Sequence, residues 1–100
     1  MEGAGKDATR SDLLFFWPHV LEGLAERFSA LQGRIVPNGA IWVVMPKRSV
    51  AARHGITFSW EQMQAAALAT DLVDNKIASF SPEEYATRLV IRREARHKYH

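Results

Sequence analysis

The sequence predicts an α/β fold in which a mixed sheet of four strands carries two main helices. Two short apolar runs, at residues 12–17 and 40–45, each end at a proline, and a segment with a helical period follows each run. Two further strand-like segments, 73–81 and 85–94, close the chain. Alternating strands and helices predict parallel strands joined by right-handed crossovers. The short last connection predicts an antiparallel final strand.

Composition predicts one packed domain, since 100 residues with 47% hydrophobic side chains suffice for a single core. We expect a flexible lead-in at 1–11, a single α/β domain at 12–94 and a basic flexible tail at 95–100. The absence of cysteine excludes disulfides and thiolate metal sites. There is no signal-peptide pattern, and no apolar run reaches the roughly 20 residues of a membrane span. These features predict a cytoplasmic protein that does not contact a membrane.

The first apolar run, DLLFFW at 12–17, does not alternate with polar residues, which predicts a strand covered on both faces. Pro18 ends this strand because proline cannot donate to a sheet ladder. From residue 19 to about 32 an amphipathic helix is predicted, and we expect Gly33 to end it in the left-handed conformation. The apolar stripe of this helix consists of Val20, Leu21, Leu24, Phe28 and Leu31.

The second strand is predicted at Ala40 to Met45, where β-branched and aromatic residues dominate. The preceding Pro37-Asn38-Gly39 is typical of a turn, and Pro46 ends the strand. Residues 47–58 have no clear period, which predicts a loop with at most a short helical turn.

The second helix is predicted to begin at Ser59, which forms a capping-box pattern with Gln62. Two strands then follow, and Ser81-Pro82-Glu83-Glu84 between them is expected to form a single helical turn.

Four segments together resemble the C-terminal half of the Rossmann-like methyltransferase fold, which binds S-adenosylmethionine (SAM). SDLLFFWPHVLEGL is similar to the fourth strand and its helix, and RIVPNGAIWVVMPKR to the approach to the fifth strand. SWEQMQAAALATDLVDNKIASFS resembles the next helix and the sixth strand, and YATRLVIRRE resembles the seventh. The resemblance implies the strand order 1-2-4-3 with the last strand antiparallel, which is half of that fold.

A narrower resemblance is to a bacterial family of Rossmann-like proteins of unknown function, and it covers residues 11 to 94. Members carry a tryptophan in the fifth strand followed by Pro-Lys-Lys, then an LVD-x-K-V pattern and a closing V-x-R. The counterparts here are Trp42, Pro46-Lys47-Arg48, LVDNKI at 72–77 and LVIR at 89–92.

The chain departs from the methyltransferase pattern because it has no glycine-rich first turn to hold the cofactor. We therefore expect no catalytic residues, no metal and no cofactor in the isolated chain. The expected function is that of a non-catalytic interaction or assembly module. The alternative is a small-ligand binder that holds SAM only when a second chain completes the pocket; if the protein is an enzyme, it is a methyltransferase.

An edge strand gives this interaction hypothesis its physical basis. In the order 1-2-4-3, residues 12–17 lie at an edge, and this run contains neither lysine nor proline to discourage pairing. We expect it to pair with a partner protein, most simply as a two-fold homodimer. The alternative is that residues 1–11 fold over the edge.

The candidate ligand site lies at the ends of the two parallel strands, where open α/β sheets bind ligands. Trp17, Pro18 and His19 end the first strand, and Pro46, Lys47 and Arg48 end the second, so both triplets are expected to face one cleft. Lys47 and Arg48 would suit a phosphate or carboxylate there. The alternative is that Trp17 packs, His19 begins a helix and the two cations are solvated.

The remaining ionisable residues give weaker patterns. His54 has no obvious partner, Glu83 and Glu84 are typical of a helix start, and His97 with His100 does not complete a metal site. The basic C-terminal stretch could touch nucleic-acid phosphates, but Glu94 interrupts it, so a solvated edge is favoured over nucleic-acid binding. This stretch contains Arg88, Arg92, Arg93, Arg96 and Lys98.

Overall fold

A computed structural model describes residues 10–95 of the chain. The predicted flexible lead-in and basic tail fall almost entirely outside these residues. The elements in chain order are β1 (Ser11–Phe16), α1 (Leu24–Gln32), β2 (Ile35–Pro46), a 3-10 helix (Arg48–His54), α2 (Trp60–Leu68), β3 (Leu72–Ser81) and β4 (Glu84–Ile91).

The four strands form one mixed sheet in the order β1-β2-β4-β3. β1 runs parallel to β2, while β4 is antiparallel to both β2 and β3. The predicted fold class and strand order are therefore confirmed. Within residues 10–95 no helix has the length and apolar character required to cross a membrane.

Both helices pack on the same face of the sheet, which we call the helical face. Leu24 and Phe28 of α1 and Met63 of α2 belong to one buried cluster with alternate residues of β2, including Ile41 and Val43. Successive strand residues point to opposite faces. The residues between them therefore lie on the other face, which we call the open face because neither helix covers it.

The open face explains why the predicted double coverage of residues 12–17 is wrong. Leu14 and Phe16 pack against the buried cluster. Leu13 and Phe15, which point the other way, remain 46% and 48% exposed. The run is continuously apolar, yet only one of its faces has a helix to pack against.

The first helix is shorter than predicted because the chain turns at Gly23. This glycine caps the N-terminus of α1 with φ of +74°, a left-handed conformation that side chains disfavour. His19 and Val20 precede the helix and are exposed. Gly33 follows the helix with φ of −71°, so the predicted left-handed ending is also wrong. The Gly33 amide donates to the Ser29 carbonyl at 3.4 Å and the next amide, that of Arg34, donates to the Leu31 carbonyl at 2.9 Å, so the helix ends without leaving the right-handed region.

Pro37-Asn38-Gly39 lies inside β2 instead of forming the predicted turn. Strand pairing overrides local turn chemistry here: Ser11 pairs with Ile35, but Leu13 already pairs with Ala40, so the segment between them bulges.

The start of α2 is as predicted. The Ser59 hydroxyl accepts a 3.1 Å hydrogen bond from the Gln62 amide, and the Gln62 side chain accepts a 2.9 Å bond from the Ser59 amide. The link between β3 and β4 differs from the prediction. Ser81 pairs directly with Glu84, which leaves Pro82-Glu83 as a two-residue turn with no helical turn. β4 ends at Ile91, three residues earlier than predicted.

Candidate functional site

The structure brings part of the predicted ligand site together at the carboxyl ends of β1 and β2. Trp17, Pro18, His19 and Pro46 line a cavity of about 50 Å³. Pockets that bury a whole drug-sized ligand are typically ~300–1,000 Å³, and ~10–15 Å³ suffices for one water. The described residues therefore form only a small part of a ligand pocket at this position. The cavity is also lined by Val44, His54, Ile56 and Glu84.

Lys47 and Arg48 do not line this cavity, so the two predicted triplets do not face one cleft. The Lys47 amide donates a 2.7 Å hydrogen bond to the Glu83 carbonyl, which holds the chain against the β3–β4 turn. The 3-10 helix begins at the next residue and directs Arg48 towards a separate cavity. The expected anion site of two adjacent cations beside Trp17 is not formed.

Glu83 forms a charged cluster with two residues of the 3-10 helix. Its carboxylate lies 2.9 Å from Arg53 Nη2 and 3.4 Å from His54 Nε2. The His54 hydrogen bond and the Arg53 charge lower the pKa of Glu83 from its ordinary value. His54 therefore has a partner, contrary to the sequence analysis, and Glu83 lies in a turn and not at a helix start. The cluster links the 3-10 helix to the β3–β4 turn. Because it is exposed to solvent, it does not form a desolvated acid–base site.

Three aromatic rings form a cluster on the open face. The ring centroids of Phe15, Trp17 and Phe80 are 5.9–6.3 Å apart. Phe15 and Phe80 come from β1 and β3, the two edge strands. Between these strands, Val44 of β2 pairs with Ala86 of β4, and both residues are almost fully buried. Each ring stays between 43% and 48% exposed, so the cluster is a partly covered apolar patch.

The two edges of the sheet differ in how they discourage pairing. β3 contains Lys76, and its register with β4 shifts twice, which bends the strand. β1 has no lysine and no proline within Ser11–Phe16, and its register with β2 is regular from Leu13 to Phe16. Among residues 10–95, β1 pairs only with β2. Lysines and bulges are the usual protection of an edge strand, so β1 is the unprotected edge.

Arg92 of the basic C-terminal stretch takes part in a hydrogen bond within the fold. Arg92 lies beyond β4 and its guanidinium donates a 2.9 Å hydrogen bond to the Thr70 carbonyl just after α2. The prediction that the Arg92 side chain is free in solvent is therefore wrong, because its guanidinium is hydrogen-bonded to a carbonyl at the C-terminus of α2. Arg96 and Lys98 lie outside the described residues, as do His97 and His100.

Comparison with solved structures supports the fold described above. No protein-family model matches the chain, and no curated protein matches it. Among solved structures, the chain is similar to M1.HpyAVI in complex with SAM, with a TM-score of 0.57 and 12% sequence identity. The match covers 89% of this chain and 48% of that one. The chain therefore has a methyltransferase-like fold and spans about half the length of this neighbour.

Sequence reasoning missed two features of this region. The contact between His54 and Glu83 joins residues 29 positions apart, and no local pattern indicates it. Phe80 lies in a predicted strand, and nothing in its local sequence indicates that its ring contacts that of Phe15. Only the topology implied by the resemblance could have suggested either contact.

Proposed function

We propose that this chain is an interaction module, half of a methyltransferase-like domain, which associates with a second copy through β1. The observation that carries the proposal is the unprotected β1 edge, beside which the aromatic cluster remains half exposed. An edge of unpaired amides and carbonyls is a template for a further strand.

A two-fold axis perpendicular to the sheet would place β1 antiparallel to its counterpart. The two open faces would then lie on the same side, and Leu13 and Phe15 would meet the same residues of the second copy. Two sheets of four strands would form one continuous sheet of eight. Such self-complementary contact is what a two-fold interface requires.

The difference between the two edges supplies matched variants for the test. Phe15→Lys adds a charge to the β1 edge, while Ile77→Lys adds the same charge to a position of β3 that is slightly more exposed, 55% against 48%. In sedimentation equilibrium, we expect a dimer for the unmodified protein and for Ile77→Lys, and a monomer for Phe15→Lys. A monomer in the unmodified protein at all concentrations, with native circular dichroism, would exclude the proposal.

A second candidate function is binding of SAM or a related small ligand in a pocket completed by another chain. It is favoured by the neighbour that was solved with SAM and by the small cavity at the ends of β1 and β2. Calorimetric titration with SAM tests it. Saturable heat that disappears in Phe15→Lys would mean that the assembled form completes the pocket. Absence of heat from a confirmed dimer would leave the interaction role alone.

A further inference from the structure

A second cavity lies on the helical face, between the end of β2, the 3-10 helix and the start of α2. It has a volume of about 130 Å³, and it shares the lining residues Pro46 and Ile56 with the first cavity. Its floor is apolar, consisting of Met45, Ala51, Ile56, Phe58 and Trp60. Its rim carries Arg48, Glu61 and Tyr85. No residue of β1 lines it, so the interaction proposed above gives this cavity no role.

The rim of the cavity holds two opposite charges that do not form an ion pair with each other. Arg48 and Glu61 are both exposed, and within residues 10–95 neither forms an ion pair or a side-chain hydrogen bond. Both nevertheless act on the Tyr85 phenol. Burial raises the pKa of Tyr85, the Glu61 carboxylate raises it further, and the Arg48 guanidinium opposes this. Arg48, Glu61 and Tyr85 thus line one cavity from three different elements, the 3-10 helix, α2 and β4.

One wall of the cavity is held in place by a hydrogen bond. Trp60 Nε1 donates to the Thr87 hydroxyl at 2.9 Å, and Thr87 is fully buried on β4. The indole ring is thereby fixed at the start of α2. Fixed aromatic walls with a few polar groups at the mouth are typical of small-ligand sites.

We propose that this cavity binds a free α-amino acid with a compact apolar side chain. The side chain would occupy the apolar floor, Arg48 would pair with the α-carboxylate, and Glu61 would pair with the α-ammonium. A cavity of about 150 Å³ holds a benzene molecule, so a side chain from leucine to phenylalanine matches the size.

The pair of rim charges selects a zwitterion over simpler ligands. An anion would gain from Arg48 but be repelled by Glu61, and a cation would meet the reverse. A zwitterion has one group for each. Tyr85 can add a hydrogen bond from its phenol, which carries its proton at neutral pH as tyrosines ordinarily do.

The test is a titration of the isotope-labelled full chain with L-phenylalanine, followed by amide NMR shifts. A ligand of this size should bind with a dissociation constant of about 1–3 mM or tighter. We expect the shifts to centre on the lining residues. 3-Phenylpropionate lacks the ammonium and 2-phenylethylamine lacks the carboxylate, and each should bind at least about tenfold more weakly, since hydrogen bonds to charged groups are the strong ones.

Two variants with matched controls complete the design. Arg48→Gln and Glu61→Gln each remove one rim charge from an exposed position and should weaken binding at least about tenfold. Arg27→Gln and Glu22→Gln make the same changes at exposed positions that do not line the cavity, and should bind as the unmodified protein does. The proposal is overturned if no saturable shift occurs up to about 10 mM, if both analogues bind as well as phenylalanine, or if the shifts centre elsewhere.

Discussion

Replacing Gly39 with alanine should destabilise the protein by separating β1 from β2. A Cβ atom at this position would lie 3.0 Å from the Ser11 carbonyl oxygen, 3.0 Å from that of Asp12 and 3.1 Å from that of Val36. Ordinary contacts of this kind are a few tenths of an ångström longer. All three atoms belong to the backbone, so no rotamer change can relieve the contact, and the strands themselves must move.

The expected magnitude follows from two opposing effects. Overpacking that shifts backbone costs about 1–3 kcal/mol. Replacing glycine with alanine also reduces the freedom of the unfolded chain, which stabilises by about 0.4–1 kcal/mol. The net loss should be about 1–2 kcal/mol, which lowers the melting temperature by about 4–16 °C in a domain of this size.

Gly33→Ala is the matched control for this prediction. A Cβ atom there would have its nearest contact at 3.6 Å, and φ is −71°, which alanine adopts freely. We expect this variant to be as stable as the unmodified protein or slightly more so. Urea denaturation followed by circular dichroism compares the two. Equal stability of Gly39→Ala and Gly33→Ala would refute the close approach of β1 to residue 39.

Two further predictions concern side chains away from β1. Trp60→Phe should cost about 1–3 kcal/mol because the buried Thr87 hydroxyl loses its donor, and adding Thr87→Val should recover part of that loss in urea denaturation. NMR titration of the Glu83 carboxyl should give a pKa lower than that of an ordinary glutamate, and this pKa should rise in Arg53→Gln and in His54→Gln. Because the folded pKa is the lower one, this cluster stabilises the fold above about pH 4.5 and the contribution is lost as pH falls through the folded pKa; an unshifted pKa in the unmodified protein would contradict the cluster.

Local chemistry was enough to predict the elements whose ends depend on a few neighbouring residues. The Ser59–Gln62 capping box forms because both partners lie in one turn of α2. Pro46 ends β2, and the short link between β3 and β4 makes them antiparallel. In each case the residues that decide the structure are adjacent in the chain.

Features that depend on distant partners could not be predicted in the same way. The run at 12–17 has the composition of a doubly covered strand, but its exposure depends on which face α2 packs against. The turn chemistry of residues 37–39 is overridden by pairing with β1. In the candidate site, Trp17 and Pro46 line one small cavity, whereas Arg48 lines another cavity from the start of a 3-10 helix. The sequence of that 3-10 helix has no clear period, so its position could not be predicted.

Hydrogen exchange of the β1 amides, measured at several protein concentrations, tests the association through β1 most directly. Amides of Ser11–Phe16 that face β2 should be protected at every concentration. Those that face away from β2 should become protected only as the protein concentration rises, and Phe15→Lys should abolish that second protection. Rapid exchange of the outward amides at all concentrations would contradict the account.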